Sequence, residues 1–219
     1  VYIAFPFTLP GGALSFDVQG GVVRAGIDQI PGSANDWNTV QNFARLSCEN
    51  AQIVVGTLEA PLMQFGNINT GRYQAGALPE STHFYGWPMN NYWTTNFNAE
   101  QRGGHTFCYP LTSSGKTSPG WATRFGWGIR VPLLARVLPG GGQGGSPGEQ
   151  SLLEGWPENI LLVNIAPLEN QPAAILQVRE TEGVPTDFRI TRFNGTPPEI
   201  RQADALGDEI SGGNTRLEP

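Results

Sequence analysis

Lysine is almost missing from this chain: Lys116 is the only one in 219 residues. Arginine supplies the other positive side chains, the formal net charge is -6, and no basic cluster forms anywhere. That distribution argues against nucleic acid as a partner, which would need a positive patch to meet phosphates. Long apolar runs are missing too, and without roughly 18 consecutive apolar residues no membrane span is expected. The two histidines, His83 and His105, stand in neither an HxxxH nor an HxD frame, so no metal or other cofactor is assigned to this chain. A calcium site would need aspartates that converge in space, which spacing alone does not show. Cys48 and Cys108 follow no metal or redox spacing and are expected to be buried free thiols.

Catalytic signatures are missing in the same way. No GxSxG elbow occurs, so serine-hydrolase chemistry has no local support. "SGKT" at Ser114–Thr117 looks like the end of a phosphate-binding loop, but Pro110 stands where that loop needs its first glycine. It is expected to be a turn. "GGGQGG" runs into Ser146-Pro147 instead of opening a helix, so it is expected to be a linker. Acid–base work on sugars takes two carboxylates at a set separation. Asp17, Asp28, Asp36, Glu59 and Glu80 are available, yet no spacing selects a pair, and no catalytic residue is assigned.

Glycine and proline, by contrast, are plentiful, at 29 and 18 residues, too many for a helical protein; 39% apolar content is too high for disorder. Together they predict many short strands joined by turns. Apolar alternation predicts strands at Tyr2–Phe7, Leu14–Gln19, Val22–Ala25, Val40–Ser47, Gln52–Thr57, Leu62–Gly66, Phe84–Trp93 and His105–Leu111. Gly11-Gly12, Gly20-Gly21 and Gly103-Gly104 stand where tight turns are needed. A short helix is expected within residues 120–130. Further strands are expected in Glu158–Pro167, Ala173–Glu180 and Thr186–Phe193, with an edge strand and tail after them. "ILLV", rich in branched residues, suits a strand covered on both faces. The architecture expected is all-β: a large antiparallel β-sandwich over 1–138, a glycine-rich linker over 139–149 and a small C-terminal β domain over 150–219. "VYIAFPF" alternates from Val1 onward and no signal-peptide features occur, so a longer parent polypeptide is expected.

Two segments stand out chemically. "WPMNNYWTTNF", from Trp87 to Phe97, gathers rings and amides without a charge. Rings stack on the apolar faces of sugars and amides pair with hydroxyls, so this is either a sugar-facing surface or the inner seam of a sandwich. Neighbouring strand residues alternate, so two of its rings are expected in the core, while the others face a loop or groove with Asn90, Asn91 and Asn96. "GIDQIPGSANDWNTVQNFARLS", from Gly26 to Ser47, reads as a long ordered loop entering a strand, a common carrier of function.

In order, "YIAFPF", "DQIPGSANDWNTVQNF", "EAPLMQFGNINTGR" and "MNNYWTTNF" resemble the C-terminal β region of glycoside hydrolase family 38, the α-mannosidase-type enzymes. "NILLVNIAPLENQPAAILQVRE" is similar to the strand pair that opens that family's terminal sandwich; the linker and tail match poorly. The resemblance implies a retaining glycosidase as parent, with an aspartate nucleophile and a zinc ion in an N-terminal barrel followed by a helical bundle. None of that barrel lies in these 219 residues, so zinc and catalysis are expected outside this chain. The large sandwich is implied to be of the kind shared with galactose mutarotase, packed on the barrel. Asn90, Asn91, Tyr92 and Trp93, with Asp28, Gln29 and Trp37, are the residues expected to wall a cleft for an α-mannoside or related glycan. A self-standing carbohydrate-binding module is the alternative, and a scaffold sandwich without sugar affinity stands against both.

Overall fold

The computed structural model describes residues 1–69, 78–89, 98–131, 133–137, 151–169, 171–213 and 215–218. It divides into two compact units, Val1–Pro132 and Leu133–Pro219. The expected linker at 139–149 lies outside the described residues. Among the described residues all strand pairing is antiparallel, and the fold is all-β with one short helix described.

Unit 1 runs β1 (Ile3–Phe5), β2 (Ala13–Val18), β3 (Gly21–Arg24), β4 (Asn38–Thr39), β5 (Phe43–Ser47), β6 (Gln52–Gly56), β7 (Leu62–Phe65), β8 (Phe84–Gly86), β9 (Leu111–Ser114) and helix α1 (Pro119–Gly128). These form a four-stranded sheet, ordered β1-β8-β7-β4, and a five-stranded sheet, ordered β3-β2-β5-β6-β9. The sheets face each other through one apolar layer. Leu14, Phe16, Ala44, Leu46 and Val55 of the larger sheet meet Met63 and Phe84 of the smaller. Phe16 stacks on Phe65 across the gap, ring centroids 5.0 Å apart.

Alternation sends the remaining residues of the larger sheet the other way. Phe43 and Val54 pack there against Ala122 of α1, flanked by Trp121 and Phe125. The central strands are therefore covered on both faces, which is why β5 is buried through four successive residues. Ser118 caps α1, its Oγ accepting from the Trp121 N–H at 3.2 Å, and Pro119 opens the first turn. "SGKT" ends β9 at Ser114 and bends at Gly115: the Lys116 N–H donates to Ser114 Oγ, and the Lys116 and Thr117 carbonyls accept from Gln52 and Arg45 of the sheet.

Several expected elements end elsewhere. Of Val40–Ser47 only Phe43–Ser47 is a strand, because β4 ends at Thr39 and the chain crosses from one sheet to the other between Thr39 and Phe43. Buried Asp17 makes the crossing possible by accepting from Asn42 N–H at 2.7 Å and Phe43 N–H at 3.0 Å. His105–Leu111 is not a strand; pairing begins at Leu111. Upstream of it, the Cys108 N–H donates to the Glu59 carboxylate and the Pro110 carbonyl accepts from Gly56, so side chain and loop replace the ladder. β8 ends at Gly86, before Pro88, which has no N–H to continue a ladder. Cys48 is half-buried and Cys108 exposed; both are free, and neither is the fully buried thiol expected.

Tyr109 supplies the alternation that made residues 105–111 look like a strand, since its ring packs against the core beside Phe5. Its hydroxyl has no hydrogen-bond partner among the described residues. Burial, with the Glu59 carboxylate adding to it, pushes the phenol up to about 12. In the unfolded chain it ionises near 10. Over that window the unfolded state releases a proton that the folded state keeps, so stability is full below about pH 10 and declines as pH rises toward about 12. Tyr109→Phe is expected to flatten this decline and to change stability at neutral pH by no more than about 1 kcal/mol. Urea midpoints of both proteins on either side of about pH 10 check it; parallel declines would refute the assignment.

Unit 2 holds β10 (Leu153–Glu154), β11 (Ile160–Pro167), β12 (Ala174–Glu180), β13 (Thr186–Asp187), β14 (Arg192–Phe193) and β15 (Arg216–Leu217). They pair as β10-β14, β11-β12 and β13-β15. The expected strand over Thr186–Phe193 is thus two short ladders with different partners. "ILLV" is covered only in part: Ile160 and Leu161 are buried, Leu162 and Val163 half-buried. Trp156 anchors this end, its Nε1–H donating to the Ile160 carbonyl at 2.7 Å and its ring meeting Phe188 edge-on at 5.2 Å. Glu180 organises the turn after β12. Burial pushes its carboxyl up, but donation from Glu182 N–H, Asn159 Nδ2, and the Gly183 and Val184 N–H groups outweighs burial and holds it below the usual range.

Candidate functional site

The loop after β3 begins with Gly26 at φ +74°, a conformation glycine adopts freely. The Gly26 N–H donates to Gln29 Oε1 at 2.8 Å, and Gln29 Nε2 donates to Asn38 Oδ1 at 2.8 Å. The loop is thereby tied to the start of β4. From it, Gln29, Asn35, Asp36 and Asn38 line a pocket of about 260 Å³. Asn67 and Asn69, on the turn after β7, form a second wall. Leu78, Pro79 and Glu80 close a third side, with Phe65 at the apolar end.

Gln64 holds the two polar walls together. Its side chain, buried in β7, donates to the Asp36 carbonyl and accepts from the Asn69 N–H at 3.0 Å. Gly66, at φ +85°, lets the turn lie on the third wall: a Cβ there would come within 2.8 Å of Pro79 Cα. Ser81 Oγ donates to the Gly66 carbonyl at 2.6 Å, and Asn67 Nδ2 donates to the Glu80 carboxylate. The walls are fixed by Gln64 from behind and by bonds between lining residues, Gln29 to Asn38 and Asn67 to Glu80.

Asp36 is the most unusual member. It is 4% exposed, yet its Oδ1 has no hydrogen-bond partner among the described residues. Among the described residues no arginine, lysine or histidine lines the pocket. The cavity therefore offers carboxylate and amide groups to a ligand that donates hydrogen bonds, and it disfavours anions.

The residues expected to form one wall go to three places. Gln29 lines the pocket. Asp28, next to it, is engaged by Arg24: the guanidinium forks onto the carboxylate at 2.7–3.1 Å and holds it below the usual carboxylate range. Trp37 lies between two lining residues but packs on Trp87, centroids 5.8 Å apart, and Trp87 stacks on Tyr2 at 5.3 Å. Trp87 is 6% exposed and Trp37 38% exposed. Asn90, Asn91, Tyr92 and Trp93 lie outside the described residues. Of the other carboxylates, Asp17 holds the sheet crossing, Glu59 accepts from Cys108, and Glu80 accepts from Asn67. No family model, curated protein or solved structure matches this chain.

Sequence reasoning singled out Gln29 but treated Asp36 as one surface acid among many. Its burial depends on Gln64, far along the chain, and no local pattern announces that. Asn67 and Asn69 carried the weak signal of paired amides after an apolar strand.

Proposed function

We propose that this chain is the non-catalytic C-terminal β region of a retaining α-mannosidase-type glycoside hydrolase. Unit 1 supports the catalytic barrel and borders the substrate cleft, and an α-mannoside or related glycan is the ligand of the whole enzyme. One observation carries the reading. Two of the family-like motifs, separated in sequence, contribute to a single polar pocket: "DQIPGSANDWNTVQNF" through Gln29, Asp36 and Asn38, and "EAPLMQFGNINTGR" through Asn67 and Asn69. Among the described residues no group of three or more His, Cys, Asp or Glu could hold a metal ion. None of the described residues is given a metal or a catalytic step.

Reading the messenger sequence upstream of Val1 tests the proposal. A region of about 250 residues or more is expected there, alternating strand and helix patterns with Asp and His pairs able to hold zinc. The whole polypeptide is then expected to hydrolyse α-mannosides. A short leader in place of a barrel would overturn the glycosidase reading and leave the self-standing carbohydrate-binding module in its place.

A further inference from the structure

We propose that the pocket around Asp36 is itself a binding site for one neutral sugar ring, working apart from any catalytic centre, with the Asp36 carboxylate as the acceptor for a ligand hydroxyl. A carboxylate oxygen buried without a donor is costly, and native structures seldom leave one so. The surrounding groups are fixed beforehand: Gln64 holds the Asp36 backbone, and Gly26 and Asn38 hold Gln29. A preorganised site loses little entropy on binding. The lining is mixed as a pyranose requires, with amides and carboxylates on two sides and Phe65, Leu78 and Pro79 on the third to meet a C–H face. Phosphorylated or carboxylated sugars are less well served, because none of the described lining residues is cationic.

Size narrows the ligand further. At about 260 Å³ the cavity falls just below the range for drug-sized molecules, so a single ring fits and an oligosaccharide does not. A calcium ion is less well served. It takes about six to eight oxygens, and here Glu80 is already engaged by Asn67, and Asn38 Oδ1 by Gln29.

The choice of a sugar as ligand class rests on the carbohydrate reading above; the pocket's geometry does not. The test titrates the full chain with D-mannose, D-glucose, D-galactose and myo-inositol, followed by NMR chemical shifts, with calcium chloride as a parallel arm. At least one sugar is expected to bind saturably with a dissociation constant on the order of 1 mM. Asp36→Asn is expected to weaken it about ten- to hundredfold with the circular dichroism unchanged. Leu78→Trp, at an exposed rim position, plugs the mouth without entering the core and is expected to abolish binding; it serves if Asp36→Asn fails to fold. Absence of saturable sugar binding, binding indifferent to both substitutions, or shifts caused by calcium alone would each overturn the inference. The two proposals fail separately. Asp36-dependent sugar binding in a chain with no upstream barrel sinks only the glycosidase; an active barrel joined to a chain that binds no sugar sinks only the pocket.

Discussion

Replacing Asp17 with alanine is expected to destabilise unit 1 by about 3–4 kcal/mol, lowering its melting temperature on the order of 10 °C. Asp17 is 1% exposed in a central strand of the larger sheet. Its Oδ1 accepts from two backbone N–H groups, those of Asn42 and Phe43, and its Oδ2 accepts from Asn42 Nδ2 at 2.7 Å. Asn42 and Phe43 are buried, so alanine would leave donors without water or protein partners. Worse, those donors sit where the chain passes between sheets and no ladder is available to take them. Asp17→Asn keeps one oxygen for the backbone but turns an NH2 toward the Asn42 amide, so about half the loss is expected. Urea unfolding followed by near-ultraviolet circular dichroism measures both. A loss below about 1 kcal/mol for the alanine variant would mean that another group holds the crossing.

The second large effect runs against helix propensity. Gly126 lies inside α1, where alanine ordinarily adds about 1 kcal/mol of stability. Here its Cβ would approach Phe43 Cδ1 to 2.5 Å and Asn42 Cβ to 3.2 Å. Phe43 is fully buried between sheet and helix, and close-packed interiors leave such a ring little room to move. Overpacking of this kind costs about 1–3 kcal/mol, so Gly126→Ala is expected to lose about 1 kcal/mol net, and Gly126→Leu about 3 or more. The pair Gly126→Ala with Phe43→Leu separates the causes by a double-mutant cycle. Favourable coupling of about 1 kcal/mol is expected. Additive losses would show that the ring is not the obstacle.

Both effects explain what could and could not be read along the chain. Strands β2, β5, β6, β7, β11 and β12 announce themselves in the sequence, because apolar residues recur along them or fill a short branched run between turn signals. Gly20 likewise marks its turn, at φ +92° between the paired Val18 and Gly21. What escaped depends on side chains replacing backbone ladders: Asp17 at the crossing, Glu59 beneath Cys108, and Gln64 behind the pocket. Each joins residues far apart in sequence, so none leaves a local period. Gln29 was visible because its loop is conspicuous. Asp36 was not, since a carboxylate's surroundings, and not its neighbours in sequence, decide whether water reaches it.

The contact between Trp37 and Trp87 gives the loop an optical voice of its own. Trp37 follows Asp36 directly, so a ligand bonded to Asp36 would sit one residue from this indole pair. Two rings 5.8 Å apart and inclined at 60° couple their transitions and quench one another according to geometry. If the proposed ligand binds, its occupancy is expected as a change in emission and in aromatic circular dichroism, readable without a label.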